Sequence, residues 1–214
     1  MELKNSETLK NLTRSFASEC QDGAKYQYMA DEATQQKQEY VSTILKQLAT
    51  NEMAHAKVFY DYISKNVKEV DLIVDIKASY PMNHAPMPEM LKLKADAEKQ
   101  QAETVYPAFA KTATKEGFTE VAKYFEEIAK IEAVHAFVLL ELYNKISNNT
   151  LYVCNEPTLW KCTNCGHEEK LKKAWKTCPL CKKGQGMIKI NLEGCGEDCH
   201  CASSAVNKTK TSKK

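Results

Sequence analysis

The sequence predicts an all-α four-helix bundle followed by a small, metal-bound β module. Three observations support this fold class. Over the first 147 residues, apolar positions recur in steps of three and four, which is the period of helices with one buried face. Glycine and proline are sparse there, except in one segment near the middle. Eight of the nine cysteines follow residue 153, so the C-terminal part differs in kind from the bundle.

Four helices account for the bundle, which we place at residues 1–147. We predict helix A over about residues 6–36, helix B over 40–65, helix C over 89–115 and helix D over 119–146. Residues 66–88 contain three prolines and are long enough to form one long crossover. Pro107 should kink helix C because proline lacks a backbone donor, and Gly117 is the expected C-cap. The predicted inward face of helix C is Leu91, Ala95, Glu98, Ala102, Val105 and Phe109.

After the bundle the helical period stops. We predict a polar linker over residues 148–157, a compact four-cysteine module over 158–194, and a disordered, lysine-rich tail over 195–214. That tail contains Cys195, Cys199 and Cys201, which form either a further metal or redox site or a set of reduced thiols. Cys20, Cys154 and His84 receive no functional assignment.

Composition excludes several functions. All but one of the 30 basic residues are lysine, so the guanidinium groups that read bases are absent from the basic C-terminal part, and we expect no specific nucleic acid. The first residues lack a signal-peptide pattern and no apolar run could span a bilayer. We therefore expect a cytoplasmic protein without a membrane segment, in which clustered cysteines bind metal more often than they form disulfides.

A glutamate lies in the middle of each predicted inward face: Glu19, Glu52, Glu98 and Glu132. Glu52 with His55, and Glu132 with His135, form Glu-x-x-His pairs whose members share a helix face. Four buried carboxylates would destabilise the bundle unless positive charge lies among them, and we expect no Lys or Arg on the inward faces. Two divalent metals would balance the charge. Carboxylates with imidazoles suit iron or manganese, as in di-iron carboxylate bundles.

Five of these six residues, all but Glu98, lie in segments that resemble the rubrerythrin family. The segments are 15–21, 51–56, 106–110, 116–118 and 128–135, and the resemblance extends over residues 1 to about 192. It implies a ferritin-like di-iron domain with a C-terminal rubredoxin-like domain. It further implies an iron-dependent peroxidase of oxidative-stress defence, which reduces hydrogen peroxide to water with electrons from the rubredoxin-like iron. A homodimer and a reductase or rubredoxin-type electron donor are also implied.

One position departs from the family pattern. Rubrerythrins usually carry a second glutamate one turn after the first on helix C, and this chain has Gln101 there. A fixed six-ligand site, more like that of ferritin, is therefore an alternative to a site whose ligands exchange with oxidation state. Tyr26 lies on the inward face of helix A, seven residues after Glu19, and Tyr106 comes eight residues after Glu98. They are either hydrogen-bond donors to bridging carboxylates, as the family implies, or aromatic core residues.

Two Cys-x-x-Cys pairs, Cys162 with Cys165 and Cys178 with Cys181, predict one tetrahedral metal ion. The spacing alone does not distinguish zinc from iron, because both metals bind four thiolates. After a rubrerythrin-like bundle, the segment from Trp160 resembles rubredoxin, whose iron carries one electron. Three functions stay open at this point: a di-iron peroxidase, a ferritin-like protein of iron oxidation and sequestration with a structural zinc ribbon, and a ribbon that serves interaction or regulation.

Overall fold

The computed structural model describes residues 2–192. Five α-helices form the bundle: α1 (Glu7–Gln35), α2 (Glu39–Asn66), α3 (Met87–Gln100), α4 (Tyr106–Glu116) and α5 (Thr119–Ser147). Two strands follow, β1 (Val153–Lys161) and β2 (Glu168–Lys173). The predicted fold class is confirmed, and α1, α2 and α5 begin and end within one residue of the predicted bounds. Within residues 2–192, every helix is too short or too polar to cross a membrane.

The long connection between α2 and α3 runs beside α1 in the same direction. Arg14 Nε donates to the Lys77 carbonyl at 3.2 Å, and Lys25 Nζ donates to the Pro81 carbonyl at 2.7 Å. The crossover therefore returns the chain to the end of the bundle where α2 began. Helices α3 and α4 then run antiparallel to α1, which places Lys94 opposite Asp22.

Helix C is interrupted where the sequence predicts a kink. A π-helical turn, Gln101–Val105, joins α3 to α4, and the Tyr106 N–H donates to the Gln101 carbonyl five residues back. This wider turn precedes Pro107, which could not complete a regular helical ladder. The extra residue in this turn also shifts the buried face of the following helix by one position toward the C-terminus. The expectation for Ala102, Val105 and Phe109 was wrong, since they are only half-buried; the buried positions are Tyr106, Ala110 and Ala113.

Two helix ends are fixed by local chemistry. The Ser6 hydroxyl accepts a hydrogen bond from the Leu9 N–H at 3.0 Å and so caps the start of α1. Gly117 adopts a left-handed conformation with a φ of 90°, and the following N–H bonds back to the Ala113 carbonyl. The predicted C-cap is therefore confirmed, and it directs the chain into α5.

Two apolar cores fill the bundle, one toward each end. One core is built on large side chains that include Tyr26, Leu45, Leu91 and Leu139. The other includes Leu12, Phe59, Phe125 and Tyr106. Between them lies a layer of buried polar groups, which contains the four glutamates and two histidines. Apolar packing on both sides holds this polar layer in place.

The four-cysteine module is a two-stranded antiparallel sheet with two metal-binding turns. Strand β1 begins at Val153, inside the segment predicted as linker, and Trp160 at its end is buried with Ala174 and Ile188. The sheet register is irregular between Val153 and Thr158. Leu151, Ile190 and Leu192 join the bundle core beside α2, α3 and α5, so the module is packed on that end of the bundle. The tail cysteines Cys195, Cys199 and Cys201 lie outside the described residues.

Candidate metal centres

The structure brings together all six predicted bundle ligands. Glu19 comes from α1, Glu98 from α3, Glu52 with His55 from α2, and Glu132 with His135 from α5. Each Glu-x-x-His pair turns both side chains to one face because three residues make nearly one helical turn. All four carboxylates are at most 1% exposed, and both imidazoles are buried.

These six side chains form two overlapping groups of possible ligands. In each group the donor atoms lie within 4.8 Å of one another: Glu19, Glu52, His55 and Glu132 in the first, and Glu52, Glu98, Glu132 and His135 in the second. Two carboxylates therefore belong to both groups. Each group has one histidine and one unshared glutamate, as expected for two adjacent metal ions bridged by two carboxylates.

The two shared carboxylates direct one oxygen toward each histidine. Glu52 Oε2 lies 3.2 Å from His55 Nδ1, and Glu52 Oε1 lies 2.9 Å from His135 Nδ1. Glu132 repeats the pattern, with Oε1 3.0 Å from His55 Nδ1 and Oε2 2.8 Å from His135 Nδ1. A carboxylate that spans two positions in this way can bridge two ions.

Several buried ligand atoms in this layer form no well-aligned hydrogen bond with any of residues 2–192, although most of them lie close to one another in His–carboxylate pairs. They are one oxygen each of Glu19, Glu52 and Glu98, both oxygens of Glu132, and Nδ1 of His135. Unpaired buried polar atoms are costly, and native proteins seldom leave so many together. Metal coordination would satisfy all of them, so the residues present fit a di-metal site.

Electrostatics in this layer also favour cations. Burial raises the pKa of Glu19 well above its usual value, although His55 Nδ1 lies 3.4 Å from Glu19 Oε2 and acts against this effect. Burial also raises the pKa of Glu98 to about 8. Burial lowers the pKa of His55, but its carboxylate partners outweigh that effect and raise it to about 12. The same balance raises the pKa of His135 to about 10. Without metal, the imidazoles hold protons that metal binding would release.

Both predicted tyrosines contact the carboxylates. The Tyr26 hydroxyl donates a hydrogen bond to Glu98 Oε1, and the Tyr106 hydroxyl donates to Glu19 Oε1. Both rings are fully buried. Each tyrosine thus occupies one oxygen of an unshared glutamate, which leaves the second oxygen without a hydrogen-bond partner in the described chain.

The structure corrects the expectation that no lysine or arginine lies among the ligands. Lys94 on α3 is buried, and its Nζ lies 2.5 Å from Asp22 Oδ1 and 3.3 Å from Glu98 Oε1. Because Asp22 is also buried and acidic, this pair is close to neutral and still leaves the charge of the four glutamates to be balanced. Asp22 is three residues after Glu19, and Lys94 is four before Glu98, so helical spacing alone places both near the ligand faces.

Gln101 lies beside the site but contacts a different partner. Its amide nitrogen donates to Asp22 Oδ2 at 3.0 Å, and its amide oxygen is buried without a hydrogen-bond partner in residues 2–192. Asn51 is a contact that sequence reasoning missed: its amide nitrogen lies 3.3 Å from His135 Nε2. With metal on Nδ1, Nε2 would carry the ring hydrogen, so the Asn51 side chain would orient His135 by turning its amide oxygen to accept from Nε2. No sequence signal singles out Asn51, because a polar residue next to a ligand face is ordinarily solvated.

The four cysteines of the C-terminal module also converge. Their sulfurs lie within 4.8 Å of one another, and the pairs Cys162–Cys181 and Cys165–Cys178 are both separated by 3.7 Å. A tetrahedral ion with metal–sulfur bonds of about 2.3 Å requires sulfurs about 3.8 Å apart. No disulfide links the cysteines of residues 2–192. The thiols therefore fit one iron or zinc ion.

Two similar turns present these sulfurs. The Gly166 N–H donates to the Cys162 carbonyl, and the Lys182 N–H donates to the Cys178 carbonyl. Gly166 and Lys182 each follow the second cysteine of a pair, with φ of 77° and 60°. A backbone hydrogen bond from Lys183 lowers the pKa of Cys181 to about 6. A backbone hydrogen bond from His167 acts to lower the pKa of Cys165, but burial and the three neighbouring sulfurs outweigh it and raise that pKa to about 12. Metal binding would therefore have to displace the Cys165 proton.

The fold and both sites define a ferritin-like di-iron protein with an appended four-cysteine metal site. The rubrerythrin family model matches residues 10–90 and 89–174. The chain is 35% identical over 193 residues to rubrerythrin of Clostridium perfringens, over 89% of this chain and 97% of that protein. It is 31% identical over 180 residues to rubrerythrin of Nitratidesulfovibrio vulgaris, over 84% and 91% of the two chains. The chain belongs to the rubrerythrin family.

Solved structures agree with this fold. Fully reduced nigerythrin superposes with a TM-score of 0.56 at 24% identity over 86% of both chains. A bacterioferritin of Desulfovibrio desulfuricans gives 0.55 at 20% identity, over 67% of this chain and 82% of that one. The protein thus has the cofactor set of two irons in the bundle and one iron or zinc ion in the four-cysteine site.

Proposed function

We propose that this protein is a cytoplasmic peroxidase of oxidative-stress defence, which reduces hydrogen peroxide to water. The iron pair would be held by Glu19, Glu52, His55, Glu98, Glu132 and His135. A single iron that carries one electron at a time would be held by Cys162, Cys165, Cys178 and Cys181. The observation that supports this best is that both sites occur in one chain. A protein that only stores iron has no need of an attached electron carrier.

The reaction consumes two electrons and two protons for each hydrogen peroxide and yields two waters. The iron pair, when bound, supplies the two electrons. The protein's own part would be to present the shared carboxylates of Glu52 and Glu132 to both irons and to fix the unshared carboxylates of Glu19 and Glu98. Tyr106 orients Glu19 and Tyr26 orients Glu98 by hydrogen bonds to one oxygen of each. The apolar cores on both sides keep bulk water from the layer.

Electron entry is better explained by a homodimer than by transfer within one chain. Gly186 of the module lies against the Lys37 carbonyl in the turn between α1 and α2. Lys37 is 18 residues from Glu19, which corresponds to about 27 Å along a helix. Electron tunnelling slows steeply with distance. In a head-to-tail pair of chains, the partner's four-cysteine module would approach this bundle's iron pair, after reduction by a reductase or a rubredoxin-type donor.

An anaerobic titration of the iron-loaded, full-length protein tests the proposal. Iron and zinc per chain are counted first, and the fully reduced protein then receives hydrogen peroxide in steps. We expect one peroxide to oxidise the two bundle irons, and the four-cysteine iron to be oxidised only as they are re-reduced. Zinc in the four-cysteine site, or iron that peroxide oxidises slowly, would contradict the peroxidase.

Two matched cysteine variants separate chemistry from electron supply. Cys178→Ser removes a metal ligand, so it should keep a single oxidation by peroxide but lose turnover with an external donor. Cys154→Ser changes a cysteine outside the four-sulfur group and should keep both. Equal turnover in the two variants would show that electrons do not enter through the four-cysteine site.

Iron oxidation and sequestration, with zinc in the four-cysteine site, is the second candidate. Its support is that Gln101 bonds to Asp22 and adds no carboxylate to the six ligands, so the ligand set is fixed. Excess Fe²⁺ with oxygen distinguishes the two functions. Sequestration predicts ferric iron retained far above three ions per chain, whereas the peroxidase predicts none above that number.

A further inference from the structure

A buried ion pair adjoins the iron site on one side only. Lys94 Nζ lies 2.5 Å from Asp22 Oδ1, both side chains are 7% exposed, and the ammonium is 4.9 Å from the centre of the Tyr26 ring. Buried ion pairs contribute little net stability, because desolvation offsets their attraction. The pair is therefore not explained by stability alone.

Each member of this pair also contacts a second side chain: Lys94 contacts Glu98, a candidate metal ligand, and Asp22 contacts Gln101. Lys94 Nζ reaches Glu98 Oε1 at 3.3 Å, and the Gln101 amide donates to Asp22 Oδ2 at 3.0 Å. Asp22 thus uses one oxygen for Lys94 and the other for Gln101. A carboxylate in place of the Gln101 amide would face Asp22 and repel it.

The two unshared glutamates consequently differ in their surroundings. Glu98 Oε1 receives both the Tyr26 hydroxyl and the Lys94 ammonium. Glu19 Oε1 receives the Tyr106 hydroxyl, and no lysine or arginine of residues 2–192 forms an ion pair with Glu19. The position between Glu98 and His135 therefore has a nearby cation that the position between Glu19 and His55 lacks.

We propose that Gln101, Asp22 and Lys94 form a positioning network that fixes Glu98 through Oε1 and makes the two iron positions electrostatically unequal. Gln101 positions Asp22 by a hydrogen bond, and Asp22 in turn binds Lys94, which limits the contact of the ammonium with Glu98. Lys94 and Tyr26 both contact Glu98 Oε1, so Glu98 Oε2 stays available to the metal. Asp22 has the central role, because its charge determines how strongly the Lys94 ammonium competes with iron for the Glu98 carboxylate. The inference rests on the di-iron site but needs no peroxidase activity.

Opposite charge changes test this network in the iron-loaded protein. Asp22→Asn leaves Lys94 with Glu98 as its carboxylate partner, so one iron should gain a higher reduction potential. Mn²⁺ binding at one of the two bundle positions should weaken by about 10–100-fold. Lys94→Met removes the competing cation and should lower the potential of the same iron. The double variant should return close to the unmodified value.

The control is Lys92→Met on the same helix. Lys92 pairs with Asp96 four residues on, as Lys94 does with Glu98, but the Lys92 pair is exposed. The reduction potentials and Mn²⁺ affinities of Lys92→Met should equal those of the unmodified protein. Potentials are followed by redox titration of the iron pair, and Mn²⁺ binding is measured on metal-free protein shown to be folded by circular dichroism.

Shifts of the same sign in Asp22→Asn and Lys94→Met, or shifts no larger than in Lys92→Met, would overturn the network. If Lys94→Met does not fold, Asp22→Asn and the double variant still decide, since their difference isolates the Lys94 charge. An intact network with no peroxide reaction would refute the proposed function and leave this inference standing.

Discussion

The two metal sites of this chain are built in opposite ways. The bundle site gathers six side chains from four helices, with Glu19 and His135 more than 100 residues apart, and buries all of them between two apolar cores. The four-cysteine site takes its ligands from two short turns within 20 residues, and Cys165 and Cys181 are at least partly exposed. Long-range packing makes the first site, whereas local turn geometry makes the second.

This difference predicts how each part depends on its metal. The bundle has enough apolar packing to fold around an empty layer, in which protonated histidines partly replace the cations. The module has a core of little more than Trp160, Ala174 and Ile188, so its metal must supply much of its stability. Metal removal should therefore unfold one part and leave the other folded.

The largest expected effect is loss of the module when Cys178 is changed to serine. Metal binding in small cysteine-rich modules contributes about 10–16 kcal/mol, far more than such a small core provides. Both tryptophans of the chain, Trp160 and Trp175, belong to the module, whereas the helices dominate far-ultraviolet circular dichroism. We expect tryptophan emission to shift to that of an unfolded environment while the helical signal stays nearly constant.

Cys20→Ser is the matched control for that experiment. Cys20 lies on α1 outside the four-sulfur group, so both signals should match those of the unmodified protein. If Cys178→Ser kept native tryptophan emission, the module would not depend on its metal. The contrast between the two sites would then be lost.

The next effect separates shared from unshared carboxylates in the bundle. Glu132 belongs to both groups of ligands and Glu19 to one. Glu132→Gln should therefore weaken both bundle metals by more than the roughly 10–100-fold typical of outer partners, whereas Glu19→Gln should weaken mainly one. Metal analysis after dialysis gives the count per chain. Equal losses in the two variants would contradict a bridged pair, and exposed Glu103→Gln should lose neither metal.

The pH dependence of stability gives a smaller effect with a definite sign. Burial raises the pKa of Glu98 to about 8, and carboxylates raise those of His135 and His55 to about 10 and 12, so the folded, metal-free bundle holds extra protons. Stability from a raised pKa is lost as pH rises through the folded value. The free energy of unfolding should therefore fall from about pH 5 upward, by about 1 kcal/mol per pH unit for each extra proton.

Metal binding should reverse that slope. Ligands must lose their protons to bind metal, so the stabilisation that metal provides grows as pH rises. Thermal unfolding followed by circular dichroism from about pH 6 to 9, with and without Mn²⁺, measures both slopes. Parallel slopes would show that the buried protons and the metals do not compete for the same atoms.

The candidate ligands of both sites could be predicted because their residue types and spacing in the sequence already indicate metal binding. Carboxylates at the centre of apolar helix faces, and cysteines at turn spacing, seldom occur together in a chain that binds no metal. Lys94 and Asp22 could not be predicted in the same way, since a charged residue next to a buried face is more often solvated. Their burial depends on α1 and α3 lying opposite each other, which only the tertiary structure shows.

The register of helix C shows a second limit. Pro107 predicted a disturbance but not its form, and a π-helical turn rather than a simple kink moved the inward face from Val105 to Tyr106. The position of the four-cysteine module was not predicted either. It depends on Ile190 and Leu192 reaching the bundle core, and apolar pairs that far apart in sequence leave no periodic signal.

The smallest expected effect concerns the contact between the two regions. A Cβ at Gly186 would overlap the Lys37 carbonyl oxygen, whereas one at Gly184 would meet no atom within 4 Å. Gly186→Ala should therefore push the module from the bundle end, at a cost of about 1–3 kcal/mol, and Gly184→Ala should not. Limited proteolysis of residues 148–152 measures the loosened contact, while metal content should stay the same. If the module reaches its electron acceptor in a partner chain, its displacement in Gly186→Ala should also slow turnover without changing the single oxidation by peroxide.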